Sequence, residues 1–161
     1  MAFAFLLLAC VACQGKKDPI QQLQRQATND SIVLHEIQER YQESLRADFL
    51  WCDSMLMYVP EEYVDDYFNT LNLAQAYLNQ FDETLPSMVS GLAQLQHQLA
   101  TLQSDVETHY LSDSLAAVYL RDEAAEAELL HQRVLYFQDR LSKQAKELQG
   151  LKKNILKLTS P

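Results

Sequence analysis

The sequence predicts an all-α fold: an elongated antiparallel three-helix coiled-coil bundle with a two-helix hairpin tip and a kink near Pro86. Three observations carry this expectation. Among 161 residues there are only 3 Gly and 4 Pro, too few chain-breaking residues for the many turns of an all-β or α/β fold. Apolar residues recur at three- and four-residue spacing over nearly all of the chain beyond residue 18, the period of helices that each bury one face. The connections between periodic stretches are short, which sets neighbouring helices antiparallel.

Residues 1–12, MAFAFLLLACVA, are an apolar run that turns abruptly polar at Cys13-Gln14-Gly15-Lys16-Lys17-Asp18. The run falls short of the roughly 20 residues that span a bilayer as a helix and reads as the hydrophobic region of a secretory signal. Small residues directly before a cysteine, in Val11-Ala12-Cys13 and Leu7-Leu8-Ala9-Cys10, resemble the lipobox of bacterial lipoproteins. The resemblance implies cleavage before the cysteine, acylation of its thiol and a lipid anchor in the bacterial cell envelope, expected at the outer membrane facing the periplasm. Cys13 meets the polar sequence and follows the longer apolar run; Cys10 is the alternative, with Leu7 at the better upstream position. The organisation expected is a signal peptide over 1–12, a short tether over 13–18 and a helical domain over 19–161.

Asp18-Pro19 supplies an N-cap followed by Pro at the first helical position, and a first helix is expected over about 19–57. Ile20, Leu23, Ala27, Leu34, Ile37, Tyr41, Leu45, Phe49, Cys52 and Leu56 keep to one face. The polar stretch Thr28-Asn29-Asp30-Ser31 is a candidate break, with Asn29 or Asp30 as a new cap. Val59-Pro60 ends this helix and starts the next, expected over about 60–110, with Glu61, Glu62, Asp65 and Asp66 near the positive end of its macrodipole. Its seam runs from Val64 through Tyr67, Leu71, Ala74, Leu78, Phe81, Leu85, Met88, Leu92, Leu95, Leu99 and Leu102 to Val106, the alternating three-four spacing of a coiled coil. The register passes through Pro86 unchanged, so a bend is expected there rather than a loop. Leu111-Ser112-Asp113-Ser114 supplies a turn and cap for the last helix, over about 114–158. Its second half carries Val134, Phe137, Leu141, Leu148, Leu151, Ile155 and Leu158 in phase, with Gln144 as a polar intruder. Its first half reads in a shifted phase, as Leu115, Val118, Ala125 and Leu129.

The net charge of −9 excludes nucleic acid as a main ligand, because affinity for phosphate rests on clustered Lys and Arg. The charge is also segregated. Residues 59–84 hold Glu61, Glu62, Asp65, Asp66, Asp82 and Glu83 with no Lys or Arg, whereas residues 139–158 hold Arg140, Lys143, Lys146, Lys152, Lys153 and Lys157 against Asp139 and Glu147. Opposite charges beside a helix seam help choose partner and orientation, so these segments are expected side by side. Phe49, Trp51, Tyr58, Tyr63, Tyr67, Phe68, Tyr77 and Phe81 mark a stable three-helix base, and residues 95–130 a thinner protruding hairpin.

No constellation for catalysis is present. There is no Gly-rich phosphate loop, no nucleophile elbow, no Cys-x-x-Cys and no His-Glu-x-x-His. His35, His97, His109 and His131 lack the spacing of a helical metal site. His97 and His131 are expected at the surface and His109 on the seam, and no metal or cofactor is expected. Cys52 lies on the apolar face and reads as a small buried hydrophobe.

The unusual stretch is 84–104, which has no Asp, Glu, Lys or Arg. Within it Leu92, Gln94, Leu95, Gln96, Gln98, Leu99, Leu102 and Gln103 are the expected contact surface for a partner helix or a second copy. The reading is therefore a non-enzymatic, lipid-anchored envelope protein that meets the membrane through its anchor and works as a spacer, scaffold or adaptor. A periplasmic holdase with helical arms is one alternative. A small-ligand or metal site within the bundle is the other.

Overall fold

The first helix begins at Lys17, two residues before Pro19, in a computed structural model that describes residues 17–159. Both candidate lipidation sites, Cys13 and Cys10, lie outside the described residues. Every element described is helical: α1 (Lys17–Glu36), a π-helical turn (Ile37–Gln42), α2 (Glu43–Met55), a 3-10 turn (Leu56–Tyr58), α3 (Glu61–Glu107) and α4 (Asp113–Thr159). The elements up to Tyr58 form one helical run, so three long runs pack as a bundle.

The polar stretch 28–31, the candidate break, does not interrupt α1. The hydroxyls of Thr28 and Ser31 bond back to the carbonyls of Gln24 and Ala27 at 2.8 and 3.0 Å, a geometry that helices accommodate. Asp30 points inward and is 4% exposed. Its Oδ1 lies 2.8 Å from Nδ1 of His131 on α4, so His131 is a buried carboxylate's partner and not a plain surface residue.

The π turn has a cause in the sequence. Inward positions of the first run are Ile20, Leu23, Ala27, Asp30, Leu34, Ile37, Tyr41, Leu45, Phe49 and Cys52. Steps of three and four alternate as far as Tyr41, and the step from Tyr41 to Leu45 is then a four where a three is due. One extra residue is present, and a π-helical turn is the structure that absorbs it.

In α3 the buried side chains are Leu71, Ala74, Leu78, Phe81, Met88, Leu92, Leu95, Leu99 and Leu102. Each fully buried Leu contributes roughly 1.5–3 kcal/mol. The helix passes through Pro86 without a break.

In α4 a single phase runs from Ala127 through Leu130, Val134, Phe137, Leu141, Gln144, Leu148 and Leu151 to Ile155. The expected phase shift in its first half is absent. Ala116, Leu120, Glu123 and Ala124 continue the same inward phase, while Leu115, Val118 and Leu129 are exposed. Gly91 of α3 lies against Leu130 of α4, where an added Cβ would sit 3.0 Å from Leu130 Cδ2.

Contacts between runs pair Gln24 with Gln103, Ala27 and Ser31 with Gln96, and Gln42 and Arg46 with Asp82. Phe81 meets Phe137 edge to face, and Arg140 lies over Tyr77. Asp30 and Asp48 reach His131 and Lys152. The region 95–130 is thus flanked by α1 and is not the bare two-helix hairpin expected. The first run is long enough to cover it, at about 1.5 Å per residue. The segregated charges also pair differently. Ion pairs between helices include Arg46–Asp82, Lys152–Asp48 and His131–Asp30, and among the described residues none joins Glu61, Glu62, Asp65 or Asp66 to α4.

Candidate functional site

The uncharged stretch of α3 is occupied from within the chain. Leu92, Leu95, Leu99 and Leu102 are core residues. Gln96 Nε2 donates to the Ala27 carbonyl and Ser31 Oγ, and Gln103 accepts from Gln24. Gln98 is half-buried, and only Gln94 of the eight expected contact residues stands in solvent. The surface expected for a partner helix is the surface that α1 covers, because the same neutral, leucine-rich face that attracts a foreign helix also attracts the chain's own.

Single exposed apolar side chains such as Ile32, Leu73, Val89 and Leu129 lie along the bundle, but the most exposed, Tyr110, Met57, Leu50 and Tyr58, stand toward the two ends of α3. At the α3–α4 connection, α3 closes in a Schellman motif: the Tyr110 N–H donates to the Asp105 carbonyl at 2.9 Å and the His109 N–H to the Val106 carbonyl at 3.3 Å. His109 takes the left-handed position with φ 56°, where Gly is usual. This puts His109 in solvent rather than on the seam. Ser112 Oγ then accepts from the Leu115 N–H at 3.4 Å and caps α4. With Ala116, Leu120 and Glu123 taking the inward positions, Leu115, Val118 and Tyr119 are left outward at 42%, 42% and 45% exposure, beside Tyr110 at 81%.

A groove of about 420 Å³ opens between α3 and α4 at this end, lined by His97, Gln98, Leu102, Tyr110, Tyr119 and Glu123 among others. Gln98 Oε1 and Glu123 Oε2 are buried there without a hydrogen-bond partner. Burial, reinforced by Glu126 and Asp122, raises the Glu123 pKa above its ordinary 4.5.

At the other end, Leu50, Met57, Tyr58, Tyr63 and Phe68 are exposed around the start of α3, where Glu61, Glu62, Asp65 and Asp66 stand. Tyr63 and Tyr67 stack at 6.1 Å. Beneath them Cys52 is fully buried, its Sγ 4.0 Å from the Leu148 carbonyl. Burial and the Asp48 carboxylate, against the opposing pull of Lys152, push its thiol up to about 11. Such a thiol is protonated near neutral pH and a poor nucleophile. Lys152 Nζ donates to Asp48 Oδ1 at 2.6 Å and lies 5.2 Å from the Trp51 ring centre.

Among the described residues no group of three His, Cys, Asp or Glu is placed to hold a metal ion, and no helix is long and apolar enough to cross a membrane. What the geometry defines is a class, an all-α three-helix bundle with apolar side chains exposed at both ends. Comparison with known protein families, curated proteins and solved structures returns no match.

Proposed function

We propose that this chain is a non-enzymatic, lipid-anchored spacer or adaptor of a bacterial cell envelope, built as an antiparallel three-helix coiled coil with a bend near Pro86 and tethered through Cys13 or, alternatively, Cys10. The observation that carries the reading is the position of the most exposed apolar residues: Tyr110 stands at one end of the bundle and Met57, Tyr58 and Leu50 toward the other, while less exposed ones such as Leu73, Leu129 and Tyr136 are scattered along the faces. Contact pairs support the antiparallel order: residue numbers rise along the first run from Gln24 to Ser31 to Arg46 as they fall along α3 from Gln103 to Gln96 to Asp82. A helix the length of α3, 47 residues, separates its ends by about 70 Å. One end stands beside the start of α1, and thus beside the anchor. The other presents Met57, Tyr58 and Phe68 to a protein partner.

The test is acyl labelling of the full chain in a bacterial host together with photo-cross-linking from positions 57 and 58. Label that vanishes when Cys10 and Cys13 are both replaced by Ser, with a discrete cross-linked partner, is the expected result. An unlabelled chain overturns the anchor, and absence of any cross-link overturns the adaptor role.

A further inference from the structure

We propose that the α3–α4 connection and the first turns of α4 form a membrane-contact surface: Tyr110, Leu115, Val118 and Tyr119 enter the headgroup region of the bilayer that holds the lipid anchor. The inference rests on the anchored reading above and adds to it a second, non-covalent contact.

The length of chain before Lys17 sets the geometry. Four peptide units separate Cys13 from Lys17, and fully extended they reach at most about 14 Å; from Cys10 the limit is about 25 Å. Lys17 is therefore held near the bilayer surface. The pairing of Gln24 with Gln103 and of Gln96 with Ser31, extended seven residues back along α1, sets Lys17 level with His109 and Tyr110. The pairing of Asp30 with His131 sets it nearer Val118 on α4, so the two sets of contacts bracket Lys17 within about 12 Å of the α3–α4 end. The end of the bundle within reach of the membrane is thus the end that carries the exposed Tyr110, Tyr119, Leu115 and Val118.

Tyrosine favours the water–lipid boundary, where its ring is buried and its hydroxyl stays wet. Aliphatic neighbours add apolar area, and two signals hold a chain at a membrane more firmly than one. The chemistry of the surface also selects the lipid. Asp105 stands in the last turn of α3, and Asp122, paired with Arg121, and Glu126 follow Tyr119 by one and two turns of α4, so this surface is not net basic and a zwitterionic bilayer fits better than an anionic one.

The full acylated chain is reconstituted into phosphatidylcholine vesicles with brominated acyl chains. Trp51→Phe removes the native indole, and Tyr110→Trp or Tyr58→Trp places one at either end. Insertion by the 5–10 Å typical of interfacial segments brings an indole within bromine quenching range, so Y110W is expected to lose about half its emission, while Y58W keeps its own. Adding Leu115→Asp and Val118→Asp, both exposed in the folded chain, returns Y110W to the unquenched level with the helical circular dichroism unchanged. Acylated, vesicle-bound protein with unquenched Y110W overturns this inference and leaves the anchored reading standing. A chain without an acyl group that also fails to bind vesicles overturns both. A blue shift of Y110W that grows with protein concentration and needs no lipid assigns the surface to a second copy and overturns the membrane contact.

Discussion

Deleting Arg40 tests the origin of the π turn. Arg40 is exposed and lies within Ile37–Gln42. If that turn exists because one residue too many lies between Tyr41 and Leu45, removing one residue converts it to ordinary α-helix and leaves Ile37 and Leu45, both buried, facing the core. The expected change in unfolding free energy is within about 1 kcal/mol of zero, the size of a surface substitution. Deleting Asn29, equally exposed but in regular helix, is the control. It rotates the preceding turns by about 100°, taking Ile20, Leu23 and Ala27 off the core. Ile20 is 2% exposed and Leu23 half-buried, so at roughly 1.5–3 kcal/mol per apolar side chain the loss is about 3–5 kcal/mol. Urea unfolding followed by circular dichroism, with the slope compared between variants, separates a stability change from a change in the unfolded state. Two deletions of equal cost would refute the account of the π turn as an absorbed insertion.

Three further outcomes follow from single side chains. Gln144 is 2% exposed and its Oε1 has no partner, so Gln144→Leu is expected to raise stability by about 1–2 kcal/mol in the same urea assay; a loss would mean that the amide is satisfied by bound water. For Glu123 the folded-state pKa is raised, chiefly by burial, so the site contributes its full stability below the ordinary 4.5 and loses it as pH rises through the folded value. Glu123→Gln should therefore melt higher at neutral pH, by on the order of 0.5 kcal/mol for a partly exposed group, with no difference below about pH 4; a pH-independent gain contradicts the titration. His109→Gly relieves a left-handed backbone at a cost to flexibility of the unfolded chain, for a net gain of about 1 kcal/mol, read as a higher melting temperature.

The helical class and the approximate ends of the helices were legible because their determinants are local. Pro60 and Ser112 act within one turn, and the spacing of Leu92, Leu95, Leu99 and Leu102 needs no knowledge of the neighbour. Features that depend on the neighbour were not legible. Thr28 to Ser31 look like a break until Asp30 is seen to have His131 opposite it. Leu115 and Val118 outrank Ala116 and Glu123 in hydrophobicity, but the unbroken phase from Ile155 backward decides which face turns in. The π turn left a trace, the steps of four through Ile37, Tyr41, Leu45 and Phe49, which a list of same-face residues conceals and a list of intervals exposes. The expected partner surface on α3 was misassigned for a related reason: a leucine-rich neutral face does not say which helix covers it.

The π turn and Pro86 stand at one level of the bundle. Gln42 bonds Asp82, Gln38 and Val89 line the same groove, and Pro86 lies between those two α3 positions with no N–H to offer the Asp82 carbonyl. Two of the three runs thus depart from regular helix hydrogen bonding at the same height. A slender beam flexes where its section is softest, so thermal bending and native-state amide exchange should concentrate at this middle level. The distance between the ends would then fluctuate while the packing at each end stays intact, and whatever the ends hold is joined by a compliant link instead of a stiff strut.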